Sequence, residues 1–282
     1  MLRLEPKTKK FIKLVESESK YRKFLKRDII YHLVDIFKTA ITTKKTYQNQ
    51  ILNPLELGLT FYKEFNGKYY DLIMNGISKG RIIVNDDLVK SYTDTANNKT
   101  YIKLNGDDND LFIVVHELAH FIDRNSNPKI IPDEYWFFSE TWAFYLEKQL
   151  EKWLLKKDYH AIKELINIRE NNRIYFESEM LKAISYELYY EDLYRENGTI
   201  PESSIDIAKI ALVMKYDISN NIVNYLLQYP LANVLASYLA NNSILKDDYK
   251  LINECLNIDL YALLDGLEII EKENAYGLLK VK

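Results

Sequence analysis

Apolar residues recur at the three- and four-residue spacing of a helix face over most of this chain. The pattern predicts helices over roughly 8–45, 56–78, 109–123, 133–157, 160–196, 202–216, 218–241, 244–256 and 259–273. Only 8 glycines and 6 prolines interrupt 282 residues, which favours long helices. Strand-like runs are few. Arg81-Ile82-Ile83-Val84 and Thr100-Tyr101-Ile102-Lys103-Leu104 are the best, and both precede the helix at 109–123. The expected fold is therefore mainly α with a small β-sheet, in one domain over 1–282. A sheet beside that helix would offer an edge along which an extended peptide can add as a strand.

The helix predicted at 109–123 carries the chemistry. It opens after Asn105-Gly106-Asp107-Asp108-Asn109-Asp110, a run of turn and N-cap residues. The continuous apolar stretch Leu111-Phe112-Ile113-Val114-Val115 then marks it as buried, and His116-Glu117-Leu118-Ala119-His120 follows. Histidines four apart on a helix point the same way, one turn above the other, so their imidazoles can share one tetrahedral zinc ion (Zn2+). Glu117 sits beside such a metal without binding it, placed to take a proton from zinc-bound water and pass it to a leaving amine. Buried histidines need polar partners, and a metal supplies one.

A third ligand is expected from the next helix, 133–157. Glu140 lies in Phe138-Ser139-Glu140-Thr141-Trp142-Ala143-Phe144, among aromatic and small residues that face it inward. A buried carboxylate needs a cation or donors. Two histidines and a glutamate leave one zinc position open, the arrangement of a catalytic rather than a structural site. Glu147, seven residues on, faces the same way. It has two readings, a hydrogen-bond partner to a ligating imidazole or an ion-pair partner to a nearby lysine such as Lys148 or Lys152. Asp123, three residues after His120, is the rival third ligand. It lies almost a full turn beyond the two histidines, which suits an outer or helix-terminal group better.

Composition narrows the classes. The chain is 47% apolar and 28% charged, as a soluble globular protein is. A formal net charge of −3 gives no reason to expect nucleic acid or an anionic membrane as partner. The single cysteine, Cys255, excludes an intramolecular disulfide and reads as a core residue. Met1 to Lys7 lacks the apolar core of a signal peptide, and no stretch reaches the apolar length of a membrane span. A cytoplasmic location is the default expectation. The 23 tyrosines read as codon bias, not as function.

Asn105 to Asp123 followed by Ser139 to Glu147 resembles the catalytic core of the oligoendopeptidase F and thimet oligopeptidase family of zinc peptidases. That family has an HExGH helix, then an acidic ligand about two dozen residues on within E-x-x-S/A-x-x-x-E, a pattern occupied here by Glu140, Ala143 and Glu147. The resemblance implies a zincin-like, gluzincin-type catalytic domain. In it His116, His120 and Glu140 hold zinc and Glu117 is the base. No GxMEN segment of the aminopeptidase type is present, which places the resemblance on the endopeptidase side. Gln228-Tyr229-Pro230 through Tyr238 resembles the family's tyrosine-rich C-terminal helix, and Asn257-Ile258-Asp259-Leu260 its terminal segment. The resemblance spans about 80–275.

Three departures stand out. Ala119 replaces the family's glycine, Asp123 replaces a further histidine, and Ala232, Val234 and Ala236 stand where substrate-facing tyrosines would. Those tyrosines would donate to the oxyanion, so Tyr229 becomes the first candidate donor and Tyr238 the second, with His160 and His32 as alternatives. The expected organisation is a helical N-terminal part, 1–79, and a catalytic core, 80–282. The expected function is zinc-dependent endopeptidase action on oligopeptides. The alternative is a catalytically impaired zinc protein that binds peptides or a protein partner.

Overall fold

A computed structural model describes residues 46, 53–94, 96–126, 135–158, 162–215 and 222–242. The helices expected at 8–45, 244–256 and 259–273 lie outside the described residues. The described part is mainly helical with one small sheet. Its elements are α1 (Pro54–Phe65), α2 (Gly67–Ser78), β1 (Ile82–Val84), β2 (Tyr92–Asp94), β3 (Lys99–Ile102), α3 (Asp110–Ser126), α4 (Tyr135–Lys156), α5 (Ile162–Asn197), a short 3-10 turn (Glu202–Ser204), α6 (Ile207–Lys215) and α7 (Ile222–Asn242). No described helix is long and apolar enough to cross a membrane.

Two expected helices are divided, each by a polar side chain that captures backbone groups. The predicted helix at 56–78 is α1 and α2, split at Asn66, whose φ of −156° and ψ of 106° are extended. The Asn66 N–H closes α1 on the Tyr62 carbonyl at 2.9 Å, and its side chain accepts the Lys68 N–H at 3.0 Å to open α2. Periodicity runs through this break because both helices bury the same kind of face. Likewise 202–216 is a 3-10 turn and then α6, where Asp206 Oδ1 accepts the N–H groups of Ala208 and Lys209. At the other α1 end, Asn53 accepts the Glu56 N–H and Pro54 follows at the first helical position.

The sheet has the order β1-β3-β2, with β1 parallel and β2 antiparallel to β3. Both anticipated strands form. The pattern gave no hint of β2, a three-residue edge strand with no buried position. It is set by cross-strand pairs. Tyr92 stacks on Tyr101 with ring centroids 4.7 Å apart, and the Thr93 and Thr100 hydroxyls meet at 3.1 Å.

The chain divides into two compact units. Among the described residues one holds 53–172 and 231–242, and the other holds 173–215 and 222–230. In the first unit α3 is the central element, packed against α1, α2, α4 and β3. Its Leu111, Val114, Val115, Leu118, Ala119, Phe121 and Ile122 are buried. Helix α1 comes close where Gly58 faces Val114, and the Tyr62 hydroxyl donates to the Val115 carbonyl at 2.8 Å. Helix α4 is buried on every side from Ser139 to Lys148, so each polar group it carries must find a partner inside the protein. In the second unit the Tyr190 hydroxyl accepts the Asp206 N–H at 2.9 Å, and Lys215 pairs with Glu179 at 2.7 Å.

Gly76 on α2 shows how tightly α3 is held. A Cβ there would stand 2.7 Å from Phe121 Cε1 and 2.9 Å from Ile82 Cδ1. Phe121 follows His120 directly, and both neighbours are buried. Gly76→Ala is expected to destabilise the protein by about 1–3 kcal/mol, the usual cost of overpacking. Denaturant unfolding measures this; unchanged stability would show that α2 yields.

Candidate metal centre

The start of α3 is built by Asp110. Its buried carboxylate accepts backbone N–H bonds from Asn105 at 2.8 and 2.9 Å, from Gly106 at 2.7 Å and from Asp107 at 3.2 Å. Gly106 has a φ of +77°, which lets the loop curl over that carboxylate. An anion at a helix N-terminus is also favoured by the helix dipole. The loop after β3 and the rotation of α3 about its axis are thereby fixed, and with them the directions of His116 and His120.

The two imidazoles meet edge to face, with centroids 4.7 Å apart and planes at 84°. His116 Nε2 and His120 Nε2 are 3.1 Å apart. Glu140 from α4 closes the triangle: its Oε2 is 3.3 Å from His116 Nε2 and its Oε1 is 3.6 Å from His120 Nε2. Ligands about 2.0–2.1 Å from a tetrahedral zinc stand roughly 3.3 Å from one another, which matches this spacing. Among the described residues these three are the group whose ligand atoms converge in this way, all within 4.8 Å.

Hydrogen bonds behind the rings decide what the converging atoms are. His120 Nδ1 lies 2.9 Å from Ser139 Oγ, and Ser139 donates its own hydroxyl proton to Asp123 Oδ2 at 3.0 Å. Ser139 must then accept from His120 Nδ1–H, which leaves a lone pair on His120 Nε2. His116 Nδ1 lies 2.6 Å from Glu147 Oε1, a carboxylate oxygen that only accepts when ionised. In the neutral ring its Nε2 then carries a lone pair as well. Glu140 Oε2 is buried with no hydrogen bond among the described residues. With both imidazoles neutral, three acceptors face one point, where a proton or a cation must sit. A divalent cation suits that point, and the donor set of two imidazoles and one carboxylate suits zinc.

Without a metal, a proton on His116 answers the two carboxylates, and a metal ion would displace it. Burial pushes the His116 imidazole down, but the carboxylates of Glu140 and Glu147 outweigh it and hold the group well above its usual range. A field that retains a proton there also attracts a metal ion. Burial pushes His120 down to about 4, which keeps it neutral and able to ligate. Burial raises Glu140, yet the two neighbouring imidazoles outweigh that and hold its carboxyl below the ordinary value. Burial pushes Glu117 up to about 7. A cation bound beside it would draw that value down again.

Glu117 itself lies on the partly open stripe of α3, with Ile113, His116 and Arg124. The ring of His116 rests edge-on against Phe144 at 5.3 Å. Of the two readings of Glu147, it bonds His116 with one oxygen and Arg169 with the other, while Lys148 turns to Glu170 and Glu151. Asp123 stands behind Ser139 and is not in the converging group. Tyr229 belongs to the second unit, inside α7 one residue before Pro230, with its side chain half-buried. His32, His160 and the Tyr238 side chain lie outside the described residues.

Sequence reasoning missed Ser139 and Arg169. Ser139 left one usable signal, since it directly precedes the proposed ligand on a helix buried all round. Arg169 left none, because spacing along α5 does not report that a charged side chain there meets carboxylates of α4.

Comparison with protein-family models, with curated protein sequences and with solved structures gave no match to this chain.

Ser139→Ala removes the link between His120 and Asp123 and frees the imidazole to rotate or change tautomer. Zinc affinity is expected to fall by about tenfold or more, the scale of outer-sphere effects, with one zinc still bound at saturation. Competition with a coloured chelator reads this, and wild-type affinity in the variant would refute the relay.

Proposed function

We propose that this protein is a zinc-dependent endopeptidase acting on oligopeptides, with a zincin-like, gluzincin-type centre of His116, His120 and Glu140. One observation carries the proposal: two imidazole Nε2 atoms and a buried carboxylate converge on one point, the ring Nδ1 atoms being engaged elsewhere, with Glu117 alongside on the partly open face of α3. Three protein ligands leave a vacant position, as hydrolytic zinc sites require. The resemblance of residues 105–123 and 139–147 to the oligoendopeptidase F and thimet oligopeptidase family supports the peptide bond as the target.

Zinc bound there supplies a Lewis acid for water and for the scissile carbonyl. The chain's own residues do the remainder. Glu117 accepts a proton from the attacking water on its carboxylate and delivers it to the departing amine nitrogen. Its burial suits the task, since a carboxylate freed from part of its water shell is a stronger base. Glu147 and Ser139 keep both imidazoles turned toward the ligand point throughout. Tyr229 is the proposed donor to the oxyanion of the tetrahedral intermediate, a role resting on the family resemblance.

Three variants test this. Elemental analysis should find about one zinc per chain in the wild type, and Glu140→Ala should lose most of it. Full zinc retention in Glu140→Ala would remove Glu140 as a ligand. Glu117→Gln should keep zinc and fold, while cleavage of a diverse peptide mixture, followed by mass spectrometry, slows by about 10² or more. Cleavage at the wild-type rate in that variant would refute the mechanism. Tyr229→Phe should slow turnover by about tenfold to a thousandfold with unchanged zinc content, and normal turnover would assign the oxyanion donor elsewhere.

A further inference from the structure

Arg169 is a buried arginine that the proposed chemistry does not use. It sits on α5 within the first unit, 7% exposed. Its Nη2 donates to Glu147 Oε2, and its Nη1 donates to Glu151 Oε1 at 3.2 Å. Glu147 and Glu151 are one turn apart on α4, so a single guanidinium fork spans both. The guanidinium carbon also lies 4.2 Å from the centroid of the Phe112 ring. Phe112 is one turn before His116 on α3. Arg169 thus touches α3 and α4 at the level where His116 and Glu147 meet.

The Glu147 carboxylate is divided between two partners. Oε1 accepts from His116 Nδ1, and Oε2 accepts from Arg169. With Oε2 anchored, the carboxylate plane cannot rotate without breaking a charge-assisted bond. Oε1 is then held in line with the imidazole. An ammonium group cannot replace this arrangement, because it offers a point charge where the fork offers parallel, planar donors.

We propose that Arg169 is a positioning residue for the metal centre, acting through Glu147 to hold His116 with Nε2 facing the ligand point. It rests on the proposed zinc site for its consequence, but its immediate effect is on His116 and needs no metal. A buried arginine serving only to tie α5 to α4 would stabilise the fold without governing the imidazole, and the experiment separates the two roles.

The first readout is nitrogen-edited NMR of the metal-free full chain. The His116 Nδ1 proton, hydrogen-bonded to Glu147, should give a strongly downfield signal in the wild type. Arg169→Met should lose or shift that signal, and circular dichroism should show the fold retained. The second readout is zinc affinity by chelator competition. Arg169→Met should weaken it by about tenfold or more. In the Glu147→Gln background the same substitution should have little further effect, because the path has already been cut. If Arg169→Met fails to fold, Arg169→Lys keeps charge and bulk and should weaken zinc binding severalfold, with the same change in the Nδ1 proton. An unchanged Nδ1 proton in a folded Arg169 variant would overturn the proposal, as would an equal loss of affinity with and without Glu147→Gln. If the wild type binds no zinc but its Nδ1 proton depends on Arg169, the zinc reading fails and the positioning role stands.

Discussion

Three hydrogen-bond acceptors pressed together in a protein interior repel one another unless something positive lies between them. His116, His120 and Glu140 are in that position, and the rest of the first unit serves to keep them there. The desolvation cost of the carboxylate alone would favour its exposure or protonation. It is instead held buried at the contact of two helices, opposite imidazoles whose other nitrogens are already engaged. Such a site is poor as a self-contained hydrogen-bond network and good as a cation receptor. That asymmetry, more than the HExxH spacing, gives the metal reading its physical weight.

The constraint spreads outward through α4. A helix buried on all sides has no water to satisfy its charges, and this one carries Glu140, Glu147, Lys148 and Glu151 inward. Each is answered from a neighbour: Glu140 by the imidazoles, Glu147 by His116 and Arg169, Glu151 by Arg169 and Lys148, and Lys148 also by Glu170. Removing one member of such a set leaves another charge stranded, so the set acts as a unit. Its organisation explains how two imidazoles, one turn apart, can be held by different devices. His116 leans on a carboxylate anchored by a guanidinium. His120 leans on a hydroxyl whose own proton is committed to Asp123.

The fold was legible where one periodicity dominates. Helices α3, α4 and α5 start and end close to where their apolar spacing does, and the strands at Ile82–Val84 and Lys99–Ile102 were readable from β-branched and aromatic runs. The breaks at Asn66 and Asp206 were not, because a capping side chain can end a helix without disturbing the apolar spacing on either side. Strand β2 was invisible for a related reason. Three residues with no buried position carry no alternation, and pairing with β3 alone makes them a strand.

The sequence by itself determined the local part of the site. Four residues of helix set His116 over His120, with Glu117 beside them, and this follows from the geometry of one turn whatever surrounds it. The inward orientation expected of Glu140 and Glu147 also came from one helix, through the aromatic and small residues around them. Only tertiary structure decided the pairings between helices. The choice of His116 over a lysine for Glu147, the place of Asp123 behind Ser139, and the reach of Arg169 from α5 all depend on how α3, α4 and α5 cross. Sequence spacing reports which side chains share a face of one helix. It carries no information about which faces meet, because that is set by the packing of apolar surfaces far apart in the chain.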